Sequence, residues 1–552
     1  MLGNADHRLS NLSFACVLRY KLPHLTPYVQ YIQPMLKKEG LREALTKFDL
    51  SVDSEMVDTD HRLQLIPIVT RILFGRFSSR GNGSKKSTDS PAARRAAILS
   101  FFSRIGSDGG ELTFFVYLMV RAFVPRKVSL QADHSVQLRT DFLVDLISAS
   151  GTITASELAA IPCKRQEGFL NLLSDVITQI GFGIEKFVPT LTSILLAICE
   201  QAEEVLVNNI KLLSMKDGDE DGDNDATSLS RIGKIRSLCF LRIADVLNKF
   251  GSTIDFCARG CRMWKAMRTS VDALPNTVIN ADNAPSLLQL FEKISSNRSL
   301  IPLLEQSNES VVAVFKCIAG TTRSNVMSCV MKIIDGLLTD GGTIDQNELS
   351  CTKTAGQNLV LKNIHLLISQ FTIRLKDEAQ IANLDDEILF GSNSSKRTKV
   401  QHHGMQLNIL CRVSELLVSV EETADHHVKT MEDLCKLLTP LLKFDSHPSQ
   451  LELVRTIKSL VPKLSADDAV LHYQGLSKVR TRAYWVCGAL ALTTIHPFFT
   501  LPSFIYSYLG RTRTKLAFNR RNTDSSYQMQ LGPFVAFTVL LKREASSTHC
   551  RA

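Results

Sequence analysis

Hydrophobic residues recur at helical spacing along most of this chain. Between Asp60 and Ile105, two apolar segments flank a basic, polar loop. The first stripe contains Leu65, Ile68, Val69, Ile72 and Leu73, and the second contains Ile98, Phe101, Phe102 and Ile105. Spacings of three, four and seven residues bring side chains to one helix face. The stretch therefore predicts an antiparallel helical hairpin, and it contains no catalytic constellation.

The same periodicity continues downstream. Apolar stripes run through Gly168–Gly181, Phe187–Ile198 and Ile235–Phe250. Ser90 before Pro91 is typical of an N-cap followed by the first helical position. Asp108 with Glu111 predicts a capping box for a helix that is apolar nearly all round and therefore buried. Alternating strand patterns are nearly absent, so the chain predicts an all-α fold.

A hydrophobic-Pro-hydrophobic pattern recurs at Pro67, Pro189, Pro302, Pro440 and Pro462. The first three intervals, of about 110–140 residues, are each close to three units of a HEAT or armadillo repeat. This spacing favours a HEAT/armadillo-like α-solenoid. The alternative is that proline simply occurs near helix starts, as it does in any helical protein.

Three stretches interrupt the helical pattern. They are basic and polar at 78–90, acidic at 216–226, and polar and basic at 391–401. With almost no apolar side chains to bury, they are predicted to be solvated, disordered loops. The first sixty residues are predicted to be only partly ordered.

The chain changes texture from about Val479. Ala483–Leu509 is apolar but interrupted by Pro497 and Pro502, and Arg511–Arg521 is strongly basic. The apolar stretch is long enough to cross a membrane, but its prolines and hydroxyl side chains are unfavourable there, so we do not expect a membrane span. We predict a poorly ordered tail.

The composition is that of a folded protein with several domains or repeats. The 552 residues exceed what one compact core supports, and 44% are hydrophobic and 22% charged. A net charge of +9 permits an RNA or acidic protein partner without requiring one. The 13 cysteines lie mostly within helical patterns and are read as reduced thiols of a cytosolic or nuclear protein.

The candidate catalytic and metal motifs each fail on spacing. An EF-hand loop beginning at Asp217 has Ser228 where a glutamate is needed. A phosphate-binding loop in 81–88 has Lys86 where the second glycine is needed. Cys257 and Cys261 lack further zinc ligands nearby, and the adjacent pairs His402–His403 and His426–His427 diverge around a helix. We predict no catalytic residue, no cofactor, no metal and no small-molecule substrate, so the protein is not expected to be an enzyme.

One basic cluster favours a binding role. It surrounds the first polar loop and the following helix start, and consists of Arg76, Arg80, Lys85, Lys86, Arg94 and Arg95. Cations near a helix N-terminus oppose the helix dipole, and a partner anion would offset this. That anion is either a neighbouring carboxylate in an internal salt bridge, which we favour for the two arginines of the helix, or an RNA phosphate. These six residues are the candidate RNA or partner contacts, with the loop lysines as the better RNA candidates.

Several segments in the same order carry a resemblance to a known family. IPIVTRILFGRF and SPAARRAAILSFF, followed by GFLNLLSDVITQIG, FVPTLTSILLAI, IRSLCFLRIADVLNKF and SLIPLLEQ, resemble the down-regulated-in-metastasis family. These are very large HEAT-repeat, small nucleolar RNA-associated components of the small-subunit processome. The resemblance thins after about Phe390 and is not visible beyond about Ser477. The chain therefore looks like a fragment or short product with an unrelated tail.

The resemblance implies a non-catalytic scaffold in ribosome biogenesis. Its partners would be pre-rRNA or small nucleolar ribonucleoprotein and other processome proteins, in the nucleus and nucleolus. An importin-like adaptor that binds peptides remains the alternative, and salt-dependent RNA affinity would separate the two. The predicted organisation is an N-terminal segment (1–60), a solenoid (61–390), a linker (391–405), further repeats (406–477) and the tail (478–552).

Overall fold

The computed structural model describes residues 2–3, 6–37, 40–51, 53–78, 90–105, 111–125, 140–215, 223–320, 323–339, 354–385, 394–419, 425–441, 455–457 and 459–460. Every regular element among these residues is a helix, and none is a strand. The prediction of an all-α fold is confirmed. The predicted tail, 478–552, lies outside the described residues.

The N-terminal half contains ten numbered helices within the described ranges. They are α1 (His7–Leu18), α2 (Val29–Met35), α3 (Leu41–Lys47), α4 (Thr59–Ser78), α5 (Pro91–Arg104), α6 (Glu111–Val120), α7 (Thr140–Ser150), α8 (Ala155–Ala159), α9 (Cys163–Gln179) and α10 (Val188–Met215). Short 3-10 turns at Arg121–Phe123 and Gly181–Phe187 follow α6 and α9. The first three helices show that much of the N-terminal segment has regular structure.

The remaining helices continue the pattern. They are α11 (Asp223–Phe250), α12 (Cys257–Ile279), α13 (Ser286–Ser295), α14 (Ile301–Glu305), α15 (Asn308–Gly320), α16 (Ser324–Thr339), α17 (Ala355–Lys362), α18 (Ile364–Asp385), α19 (Ser394–Val418) and α20 (Asp425–Leu441). The chain divides into two units, Met1–Leu437 and Leu438–Ala552. The layers described next belong to the first unit.

The helices alternate between two layers. In layer A, each helix packs on the next member of the series α3, α5, α9, α11, α13, α16 and α19. In layer B, the same holds for α4, α6, α7, α10, α12, α15 and α18. Contacts between the layers, such as α10 with α11, join the two series. Stacked helices that bury their apolar stripes on nearest neighbours form an α-solenoid, so the predicted HEAT/armadillo-like architecture is confirmed.

The predicted apolar stripes are the buried faces of these helices. Phe101, Phe102 and Ile105 are buried in or next to α5, whereas Ile68 of α4 is only half-buried. The Ser90 hydroxyl accepts a hydrogen bond from the Ala93 amide at 3.1 Å, which confirms the predicted cap of α5. The predicted partner of Glu111 in a capping box, Asp108, lies outside the described residues.

Two predicted polar loops extend less far than expected. Helix α11 begins at Asp223, so the last residues of the acidic stretch form its first turn rather than a loop. Helix α19 begins at Ser394, so the stretch predicted to be a linker, 391–405, is helical from that residue. A helix of 25 or more residues can extend its first turns with polar residues, because packing of its later apolar turns stabilises it.

The predicted repeat spacing was wrong for one of the three intervals. The interval from Pro189 to Pro302 contains the two helical pairs α10–α11 and α12–α13, not three, because α10 and α11 have 28 residues each. Pro189 and Pro302 are the second residues of their helices. This agrees with the alternative interpretation, in which proline simply occurs near helix starts. Pro67, by contrast, lies within α4.

Among the described residues, one helical stretch, Gly181–Asn209, is long and apolar enough to cross a membrane. In its most apolar window 61% of the residues are buried against other helices of the solenoid. Its composition is therefore accounted for by its position in layer B between α7 and α12.

Candidate partner-binding surface

Arg76, the first member of the predicted basic cluster, is buried and points into the protein. Its guanidinium donates to the carbonyl oxygens of Met35 at 3.4 Å and Leu36 at 2.8 Å, and also contacts the Lys37 carbonyl. These carbonyls end α2, where helix acceptors lack partners in their own helix. Burial, followed by repulsion from Arg94, lowers the pKa of Arg76. Its side chain therefore holds the N-terminal segment on α4.

Two other arginines repeat this arrangement. Arg62 of α4 donates to the Leu50 carbonyl at 2.6 Å, and Arg104 of α5 donates to the Leu45 carbonyl at 2.8 Å. Hydrogen bonds that involve a charged donor are worth about 1.5–3 kcal/mol each. Arg62 and Arg76 of α4 and Arg104 of α5 thus stabilise residues 35–50 against these two helices. Sequence reasoning missed this role, because the acceptors are main-chain atoms that carry no side-chain signature.

Arg94 and Arg95 of the basic cluster lie at the start of α5. Both are half-buried. The Arg95 Nε lies 3.1 Å from the Asp175 carboxylate of α9, so α5 and α9 are joined by an ion pair. This is the internal salt bridge that we favoured over an RNA contact for this residue. Arg80, Lys85 and Lys86 lie outside the described residues, so their contacts remain a prediction.

The Arg95–Asp175 pair belongs to a series of ion pairs between successive helices. In layer A, Lys234 of α11 pairs with Glu167 of α9 at 2.6 Å, and Lys332 of α16 pairs with Glu292 of α13 at 3.3 Å. The series continues with Arg412 of α19 and Asp335 of α16. In layer B, Arg262 of α12 pairs with Glu200 of α10 at 2.9 Å.

These ion pairs reduce the number of positive charges that are available to a partner. Exposed pairs contribute only about 0–1 kcal/mol each to stability. They nevertheless neutralise Arg95, Lys234, Arg262, Lys332 and Arg412, which the sequence alone would offer to an anionic partner. A partner surface must therefore be sought where lysines and arginines are exposed without a carboxylate.

A buried carboxylate lies at the junction of α10, α11 and α12. Glu203 is 6% exposed, accepts a hydrogen bond from the Ser270 hydroxyl, and has Arg236 at 3.8 Å. Burial raises the pKa of Glu203, and Ser270 and Arg236 oppose that rise. The neighbouring thiols of Cys199 and Cys239 are fully buried, and their mutual hydrogen bond and burial raise the pKa of Cys199 well above its ordinary value. Such thiols are poor nucleophiles at neutral pH.

The other candidate ligands do not converge in the part of the chain that the structure describes. No group of three or more His, Cys, Asp and Glu residues is placed there to hold a metal ion. Cys257 is half-buried and Cys261 is exposed. The paired histidines lie in α19 and α20, but their side chains are outside the described set.

Comparison with known proteins adds a specific relationship. The family model described as U3 small nucleolar RNA-associated protein 20, N-terminal, matches residues 1–484. The chain is also 22% identical over 485 residues to the protein of that name from Schizosaccharomyces pombe. The alignment covers 86% of this chain but only 18% of that relative. The match continues through 391–477, where the sequence resemblance had thinned, and ends close to the predicted start of the tail.

Proposed function

Since this chain belongs to the U3 small nucleolar RNA-associated protein 20 family through its N-terminal region, we propose that it is a non-catalytic scaffold of the small-subunit processome. It supports the pre-rRNA processing that leads to small-subunit rRNA, in the nucleolus. Its partners are pre-rRNA or small nucleolar ribonucleoprotein and other processome proteins. The family match over residues 1–484 is the observation that carries this proposal.

The architecture supports a scaffold role. A two-layer solenoid presents one exposed surface on each helical repeat, so partners can bind along its length without a central pocket. The chain spans about a fifth of its relative, 18% of that protein. The proposed work is therefore that of the N-terminal part of a longer scaffold, which holds partners in position rather than changing them chemically.

The predicted contacts fall into two groups on this proposal. Arg76 and Arg95 make internal contacts, so the loop residues Arg80, Lys85 and Lys86 are the better candidates for phosphate binding. Lysine carries its charge on a long, rotatable side chain, so it can approach phosphates without a fixed geometry. This assignment rests on the sequence pattern and on the occupation of the neighbouring arginines.

Affinity purification from nuclear extract, with sequencing of bound RNA and identification of bound proteins, tests the proposal. The full chain should recover pre-rRNA, U3 small nucleolar RNA and processome proteins, and a high-salt wash should reduce direct RNA contacts. A chain carrying Gly251→Asp serves as a control in which the helices are stacked incorrectly. Its Cβ would lie 2.4 Å from the Leu247 carbonyl and 2.9 Å from Leu300, so correct stacking of α11 should fail. Recovery of nuclear-transport cargo without RNA would instead support the importin-like alternative.

A further inference from the structure

The turn between α9 and α10 exposes an aromatic ring although the rest of the turn is firmly packed. In Gly181–Phe187, Ile184 and Phe187 are buried, but Phe182 is 51% exposed. Gly181 has a φ of 61°, a backbone conformation that glycine adopts without strain. The turn contacts α6, α9, α10 and α11. Phe182 is thus held outward by a well-anchored turn.

A lysine from the next helix of layer A lies against this ring. The Lys249 Nζ is 4.7 Å from the centroid of Phe182, and the ring of Phe250 meets that of Phe182 at 5.7 Å and 87°. Both partners come from the end of α11, so the position of Phe182 depends on how α9 and α11 stack. A cation at this distance from a ring is attracted by the aromatic quadrupole.

The two cations at this turn are Lys249 and Lys186. Among the described residues, neither Lys249 nor the exposed Lys186 of the same turn forms an ion pair, whereas Lys234 and Lys332 are neutralised by glutamates. Glu185, in the same turn, is half-buried. The dipole of α11 favours a cation in its last turn, which explains the position of Lys249. The helix dipole does not explain why the nearby Phe182 faces solvent.

We propose that Phe182, with Lys249 and Lys186, forms a stacking platform for an unpaired base of single-stranded RNA. An aromatic ring accepts any base on its face, and neighbouring cations bind the phosphates that flank that base. Unpaired bases are the part of RNA that aromatic side chains recognise. This inference rests on the proposed function and adds the kind of RNA, single-stranded, and the residues that bind it.

A fluorescence experiment reports on this platform directly. In the full chain carrying Phe182→Trp, a uridine-rich single-stranded oligonucleotide should quench the additional indole emission, measured against the unsubstituted chain. A matched oligonucleotide with abasic sites should bind through its phosphates but leave that emission unchanged. Equal quenching by both, or none by either, overturns the platform.

Affinity measurements separate stacking from apolar contact. Phe182→Ala should weaken binding of the uridine-rich strand about 5- to 150-fold, the range for loss of one stacked aromatic. Phe182→Tyr should restore it, and Phe182→Leu should not. Ile373→Ala is the matched control, because Ile373 is an exposed apolar side chain, 46% exposed, on α18. Lys249→Gln should reduce the salt dependence of binding.

The outcomes distinguish this inference from the proposed function. If the chain binds RNA equally well with and without Phe182, the platform is refuted while the processome role stands. If the chain co-purifies with processome proteins but Phe182→Ala abolishes a protein contact instead, the site binds a protein side chain and the RNA assignment is overturned. If neither RNA nor processome proteins are recovered, both proposals fail.

Discussion

Gly336 offers a sharp test of how tightly the layers are stacked. It lies inside α16 in layer A and is buried. A Cβ added there would stand 2.7 Å from the carbonyl oxygen of Ser295 and 2.9 Å from its hydroxyl oxygen. Ser295 ends α13 and is itself fully buried, so main-chain atoms rather than a flexible side chain would have to move.

Gly336→Ala should therefore destabilise this part of the solenoid. Overpacking typically costs about 1–3 kcal/mol. Alanine recovers part of this, because glycine in a helix interior is about 0.5–1 kcal/mol less favourable. The expected net loss is about 0.5–2 kcal/mol. Gly168→Ala in α9 is the matched control, since its added Cβ would have no heavy atom within 4 Å apart from its chain neighbours and the backbone of its own helix. That control should stabilise the protein by about 0.5–1 kcal/mol.

Hydrogen exchange with peptide-level mass spectrometry is the suitable assay, because repeat proteins lose stability locally between neighbours. Gly336→Ala should accelerate exchange in the peptides of α13 and α16 and lower the denaturant midpoint. Gly168→Ala should leave those peptides unchanged. If both variants slow exchange alike, α13 and α16 do not approach as closely as described, and the stacking order at this point is wrong.

Four further variants test individual charges. Arg76→Met should lower stability by about 2–3 kcal/mol in a denaturant melt, because the carbonyls that end α2 lose a charged donor. Asp175→Asn, which removes a partly exposed ion pair, should cost only about 0–1 kcal/mol. Equal losses would contradict the role of Arg76 in holding the N-terminal segment on α4. Glu203→Gln should stabilise the protein at pH 7.5, because burial raises the pKa of Glu203 above 4.5 in the folded state and its ionisation opposes folding above that raised pKa. The glutamine variant should gain about 1.4 kcal/mol for each pH unit that separates the folded from the unfolded pKa of Glu203. This gain should shrink as pH falls through the folded pKa. If the difference in melting temperature between the two proteins instead widens on acidification, Arg236 more than offsets the effect of burial on Glu203. Combining Lys85→Ala with Lys86→Ala should make the fall of log RNA affinity with log salt concentration less steep, by about 0.7–0.9 for each phosphate that is no longer bound. An unchanged slope would show that these lysines do not bind RNA.

The local sequence was sufficient for the buried faces of the predicted helices, although not for the residues at which α11 and α19 begin. Stripes such as those in α5, α9 and α10 indicate the inward side directly, since period and burial are properties of neighbouring residues. The Ser90 cap could be predicted for the same reason, because both the hydroxyl and its amide partner lie within one turn. The order of family-like segments indicated the relationship that the match over residues 1–484 confirms.

The role of each charged residue could not be predicted in the same way. Arg76 reads as part of a basic cluster, yet its acceptors are carbonyls about forty residues earlier in the chain. Glu203 gave no signal in the sequence, because its burial depends on α11 and α12 closing over α10. A carboxylate and a cation far apart in sequence carry no mark of being partners.

The sequence by itself thus determined that this protein is a series of amphipathic helices related to the U3 small nucleolar RNA-associated protein 20 family. Only the tertiary structure decided which helix stacks on which, how many pairs fit between two prolines, and which cations are already neutralised. The physical reason is range: helical periodicity and capping act over a few residues, whereas stacking distances, burial and ion pairing arise between segments that meet only when the layers form.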